Sequence, residues 1–97
     1  MNISYTGRHT DFTPQMKEYM EKRLKKIKFY FPEIMTTNII LEQERNDYVF
    51  EIKITANHDV FFAKSKDMAW DKAIDDVTDK IEAAVKKKRD KITEHHK

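Results

Sequence analysis

A chain of 97 residues is long enough for one domain with a single core and too short for a core plus a separate module. Its 19 Lys and Arg stand against 17 Asp and Glu, a formal charge of +2, so net charge alone does not point to a polyanionic partner and the distribution must decide. Cysteine is absent, which excludes disulfide staples, thiolate metal sites and cysteine nucleophiles and fits a reducing compartment.

The opening residues MNISYTGRHT hold no apolar run of signal-peptide length, and no stretch approaches the roughly 18 apolar residues of a membrane span, so a cytoplasmic protein is expected. Met1, Ile3 and Tyr5 alternate with Asn2, Ser4 and Thr6, which predicts a first strand ending at Gly7. Arg8 to Phe12 read as a loop. Thr13 then supplies an N-cap and Pro14 a first helical residue, opening a helix whose stripe is Met16, Met20, Leu24, Ile27 and Phe31 and which Pro32 stops. A second strand spans residues 35–44, with Thr37, Ile39 and Leu41 on one face and Asn38, Ile40 and Glu42 on the other. After the turn Arg45-Asn46-Asp47, the alternation of Tyr48, Phe50, Ile52, Ile54 and Ala56 marks the clearest strand in the chain. Asn57, His58 and Asp59 turn again into a short strand from Val60 to Ser65. Asp67 is placed to cap the last helix, where Trp70, Ala73, Ile74, Val77, Ile81, Ala84, Val85 and Ile92 share one face at about 100° per residue.

The order is therefore β-α-β-β-β-α in a single domain, 1–97. Three strands joined by tight turns are antiparallel neighbours, and each helix has one apolar face to bury. Both demands are met by an α+β two-layer sandwich: a four-stranded sheet with two helices on one face, its other face, with Glu42, Glu51 and Lys53, in water.

Charge is sorted along the last helix: Asp71, Asp75, Asp76, Asp79 and Glu82 come first, Lys86, Lys87, Lys88, Arg89 and Lys91 last, the order its macrodipole favours. The first helix carries Lys22, Arg23, Lys25, Lys26 and Lys28 with no acid among them, which dipole complementarity does not require. Lys22 and Lys26 share a flank of their stripe with Tyr19, and Lys80, Lys87 and Lys91 share a flank of theirs. If both helices lie in one layer, these sets form one surface, and Lys22, Arg23, Lys25, Lys26, Lys80, Lys86, Lys87, Lys88, Arg89 and Lys91 become candidate contacts to nucleic-acid phosphates. The competing reading is an ordinary solvated lysine-rich helix surface.

Other constellations carry less. Asp75, Asp76 and Asp79 have Lys72 and Lys80 within i±4 reach, which favours helix-surface pairing over a catalytic carboxylate site. His95 and His96 diverge on a helix, and His9 and His58 fall in loops, so neither a metal nor another cofactor is expected. No serine elbow or Walker loop is present, and the expectation is a protein without enzymatic activity. Phe31 belongs to the core, whereas Phe29 points away and is available to stack on a base or a partner.

The opening strand with Thr6-Gly7, the Phe12-Thr13-Pro14 helix start, EKRLKKI at 21–27, Ile39-Ile40-Leu41, Ala73-Ile74-Asp75, Asp79-Lys80-Ile81 and the closing KKKRDK together resemble the ribosome hibernation promoting factors and the related protein Y. The resemblance covers essentially the whole chain, in order. It implies a fold related in shape to double-stranded RNA-binding domains, and binding to the small ribosomal subunit and its rRNA in the channel of messenger and transfer RNA, which inhibits translation in starved or stationary bacteria. On that resemblance the recurrent base of the first helix falls on Arg23 and Lys26, and that of the last helix on Lys80, Lys87, Arg89 and Lys91. Lys22, Lys25, Lys86 and Lys88 are added from local charge density. Two departures stand out: Ala69-Trp70-Asp71 follows Asp67-Met68 where the family usually has Asp-Met-Tyr directly before Ala-Ala-Ile-Asp, and Ala83-Ala84 replaces a frequent Arg-Gln. With no linker and dimerising domain and no acidic tail before Lys97, the chain resembles the short form, which implies pairing of ribosomes, often with a separate ribosome-dimerising protein. The alternative is a protein-interaction module that modulates a transcription factor through the exposed sheet face.

Overall fold

Alternation in the strands and one-sided stripes in the helices produce the expected sandwich. The computed structural model describes residues 2–31 and 34–94. Its elements are β1 (Asn2–Arg8), α1 (Pro14–Tyr30), β2 (Ile34–Glu44), β3 (Asp47–Ala56), β4 (Val60–Asp67) and α2 (Trp70–Glu94). The sheet order is β1-β2-β3-β4, with β1 parallel to β2 and the other pairs antiparallel.

The inward apolar residues of β2, β3 and β4 fall where the period of two requires. Ile39 and Leu41 of β2, Phe50, Ile52 and Ile54 of β3, and Phe61 and Ala63 of β4 are buried beneath Met16, Met20, Leu24 and Ile27 of α1 and Ala73, Ile74, Val77, Ile81 and Val85 of α2. Phe50 is fully buried at the middle of this cluster, and Phe31 meets Phe61 edge-on at 5.8 Å. The register between β2 and β3 slips by one residue between Ile34 and Thr36, so the strand bulges at its start.

Boundaries differ from the sequence reading at several places: β2 begins at Ile34 and β3 at Asp47, each one residue early, and β1, β4 and α2 run further than expected. β1 does not end at Gly7 but continues to Arg8, because Gly7 and Arg8 still pair with Leu41 and Glu42. Gly7 is needed there for close approach: a Cβ would strike the Thr10 carbonyl oxygen as the chain doubles back, with His9 at a left-handed φ of 62°. β4 runs on through Lys66 and Asp67, which pair with Val49 and Tyr48. The inward Ser65 tolerates burial because its hydroxyl donates to the Ala73 carbonyl at 2.8 Å. α2 extends to Glu94, two residues past Ile92. The start of α1 is as expected, with the Thr13 Oγ1 accepting from the Met16 amide at 3.2 Å and Pro14 following. Asp67 instead accepts from the Ala69 amide at 2.9 Å, closing the turn before α2 rather than capping the helix itself. The Pro32 stop lies outside the described residues.

The two helices run in the same direction. Tyr19 packs edge-on against Trp70, with ring centroids 6.1 Å apart, while Arg23, one turn further along α1, reaches Asp75, Thr78 and Asp79, one to two turns further along α2. α1 lies over the β1 side, where the Tyr5 hydroxyl donates to Glu21 at 2.7 Å and Lys17 sits 5.2 Å from the Tyr5 ring. α2 lies over the β4 side, where Lys80 donates to the Lys64 carbonyl at 3.1 Å. Both helix C-termini therefore point the same way, with α2 running on about two turns past the end of α1.

Candidate nucleic-acid interface

Parallel helices have a direct electrostatic consequence. Each macrodipole places partial negative charge at its C-terminus, where cations of the last turn are favoured by about 0.3–1 kcal/mol each; both C-termini point the same way, with α2 running on about two turns past the end of α1. Lys28 of α1 and Lys91 of α2 hold such positions, whereas the other basic residues of 22–28 and 86–91 lie before the last turn. Packing thus gathers into one end of the helix layer two basic segments that are about sixty residues apart along the chain.

Within that region the ten candidates have different roles. Lys22, Lys25, Lys26 and Lys87 are exposed and make no ion pair among the described residues. Lys86 is exposed and 4.0 Å from Glu82 of the same helix. Such an exposed i,i+4 pair contributes only about 0.3–0.5 kcal/mol. Lys88 turns down to Asp59 of the β3–β4 turn at 3.3 Å. Lys80 lies on the β4 edge, 3.4 Å from Asp76 and bonded to the Lys64 carbonyl, so it caps a sheet-edge acceptor rather than facing α1. Arg89 and Lys91 belong to α2, and their side chains lie outside the described part of the structure.

Arg23 is the exception among the ten. Its side chain is only 26% exposed and points between the helices, with Nε donating to the Thr78 hydroxyl at 3.0 Å and the guanidinium paired with Asp79 and, at 3.7 Å, with Asp75. The Tyr19 hydroxyl donates to the same Asp75 carboxylate, and that hydrogen bond, with desolvation second, raises the Tyr19 pKa above its usual value. Tyr5 is raised further, first by burial and then by its bond to Glu21. Asp75 and Asp79 were expected to pair with Lys72 and Lys80 on a solvated face. Asp76 does pair with Lys80, but Asp75 and Asp79 lie on the opposite flank and join α2 to α1.

This interlock was not anticipated. The signal was present: at 100° per residue Asp75, Thr78, Asp79 and Glu82 share one flank, and Tyr19 and Arg23 share the complementary flank of α1. The acids also confine the positive region: Asp71, Asp75, Asp76 and Asp79 occupy the first half of α2, so the basic residues of the helix layer are concentrated towards the helix C-termini.

The opposite face of the sheet is mixed. Lys64 and Glu51 pair across β3–β4 at 3.4 Å, and Arg8 and Glu42 across β1–β2 at 3.6 Å. Val60 and Phe62, 61% and 60% exposed, form an apolar strip on its β4 edge, beside a shallow depression lined by Ser4, Asn38, Ile40 and Lys53. Among the described residues, no helix is long and apolar enough to cross a membrane.

Comparison with known proteins assigns the chain. The profile of the sigma 54 modulation protein / S30EA ribosomal protein family matches residues 3–93. The chain belongs to this family. Among curated relatives, the ribosome hibernation promoting factor of Klebsiella oxytoca is 24% identical over 95 residues, covering 98% of this chain and 100% of the relative. That of Pseudomonas putida is 26% identical over 93 residues, covering 94% of this chain and 89% of the relative. Two solved structures share the fold. A ribosomal subunit interface protein from Coxiella burnetii superposes with a TM-score of 0.86 at 24% identity, covering 92% of this chain and 98% of that one. The N-terminal domain of protein Y from Thermus thermophilus gives 0.80 at 25% identity, covering 90% and 98%. The family's β-α-β-β-β-α sandwich is thus retained where Ala69-Trp70-Asp71 departs from the usual run: Trp70 becomes the first residue of α2 and packs on Tyr19.

Proposed function

We propose that this chain is a non-enzymatic ribosome hibernation factor in the cytoplasm. It binds the small ribosomal subunit through rRNA, occupies the channel of messenger and transfer RNA, and so inhibits translation; with a separate dimerising protein it favours pairing of ribosomes. The observation that carries the reading is the basic C-terminal part of the helix layer, to which α1 contributes the exposed Lys22, Lys25 and Lys26 and α2 the exposed Lys86 and, on the flank it shares with Lys80, Lys87. The names of the full-length relatives support the hibernation role.

Ammonium groups displace counterions from phosphates and gain most of their binding free energy that way, but phosphates carry no base sequence. Specificity on this reading comes from shape. A two-layer body held rigid by one core and by the α1–α2 interlock fits a preformed RNA cavity as a plug, and Lys80, Arg89, Lys91 and Lys88 flank the main contact. Arg23 acts at one remove by fixing the distance between the helices.

Channel occupancy is tested by displacement. Purified protein bound to small subunits should prevent a short messenger analogue and initiator tRNA from binding, at near one-to-one stoichiometry. Undiminished messenger and tRNA binding, with the protein still on the subunit, would place it elsewhere.

The exposed Val60 and Phe62 favour a second reading, in which the outer sheet face holds a protein partner such as a transcription factor. A Phe62→Ser variant that loses function while it still sediments with small subunits would support that reading.

A further inference from the structure

Phe29 is the most exposed of the large apolar side chains described, at 83%. It lies nearly opposite the core stripe of α1, between the buried Ile27 and Phe31, and contributes nothing to the core. Lys22, Lys25 and Lys26 precede it by seven, four and three residues, the helical neighbours on its own face, and all three are exposed. An aromatic ring therefore stands in the middle of a cationic face.

We infer that Phe29 is a base-stacking residue, on which an unpaired nucleotide lays its base while Lys22, Lys25 and Lys26 hold the flanking phosphates. The inference rests on the RNA-binding reading and deepens it, naming single-stranded or looped RNA as the ligand along α1. Two features of the face favour RNA over a protein partner. An apolar protein surface covering Phe29 would have to desolvate three ammonium groups, whereas a nucleotide strand offers each of them an anion. The face also presents one ring rather than the contiguous apolar patch on which protein partners seat their anchors. Duplex RNA keeps its bases stacked inside, so the ring selects for an unpaired base. The interlock with α2, 52 to 56 residues away in sequence, puts Phe29 about level with residues 81–85, so a strand crossing it can continue towards Lys86 and Lys87.

The full chain is titrated with a short fluorescent oligoadenylate and with an abasic ribose-phosphate oligomer of the same length. Phe29→Leu keeps apolar bulk without an aromatic face, and circular dichroism checks its fold. It should weaken oligoadenylate binding about tenfold and leave abasic binding unchanged, while Phe29→Trp restores oligoadenylate affinity. A Lys22→Glu/Lys26→Glu variant should weaken both. If Phe29→Leu binds oligoadenylate like the parent, or weakens both oligomers equally, stacking is excluded while phosphate binding stands; a ring used for protein contact gives the first of these results. If the parent chain binds neither oligomer nor small subunits, the RNA-binding reading itself fails, a distinguishable result.

Discussion

Arg23 and Lys22 are adjacent in sequence and do different work. Lys22 projects into water, whereas the Arg23 guanidinium spans the gap between α1 and α2 and satisfies Asp75, Thr78 and Asp79 together. Charge-assisted bonds of this kind contribute about 1.5–3 kcal/mol when desolvated, and the exposure of Asp79 lowers that by screening. Arg23→Gln should therefore lower unfolding stability by about 1–2 kcal/mol in a urea titration, whereas Lys22→Gln should stay within about 0.5 kcal/mol of the parent. An Arg23→Gln chain of parental stability with lost ribosome affinity would instead put the guanidinium on RNA. The helical spacing places Arg23 on one flank with Tyr19 but does not say which flank meets α2. EKRLKKI reads as a run of interchangeable cations, and the partners that single out Arg23 lie more than fifty residues later, in a helix whose rotation relative to α1 only packing decides.

At the level of elements, local chemistry was legible wherever it is decided locally. Thr13-Pro14 starts α1, the two tight turns separate β2, β3 and β4, and the 3.6-residue stripes identify both buried helix faces. The misreadings occurred where tertiary pairing overrides a local signal. Gly7 reads locally as a strand end, yet its role is to let the Thr10 carbonyl pass over β1. Ser65 ends β4 on the local signal and Asp67 reads as a helix cap, whereas in the structure Lys66 faces solvent and Asp67 sits at the half-buried strand end. Since the obstacle at Gly7 is backbone and cannot swing aside, Gly7→Ala should cost about 1–3 kcal/mol and lower the melting temperature by several degrees. An unchanged melting temperature would show that the loop after β1 relaxes freely.

For the whole molecule, the order β-α-β-β-β-α and the single layer of helices follow from counting apolar faces, and the basic segments were visible as composition. Their roles were not. Whether they merge depends on helix direction, and parallel packing both merges them at one end and leaves the acidic half of α2 to interrupt the rest. Lys80 and Lys88, counted with the others by charge, turn instead to the β4 edge and the β3–β4 turn. What remains is a positive region in the C-terminal part of the helix layer, on a body whose Cα extents are 49 × 22 × 19 Å.

The most direct test of that surface is the salt dependence of binding to purified small ribosomal subunits. Each phosphate neutralised contributes about 0.7–0.9 to the log–log slope of affinity against salt. A Lys22→Glu/Lys26→Glu/Lys87→Glu variant that folds like the parent should bind far more weakly, with a slope shallower by about 2–3. Equal affinity and equal slope in the two proteins would contradict the account, because the cations that the parallel helices bring together would then not be what meets the ribosome.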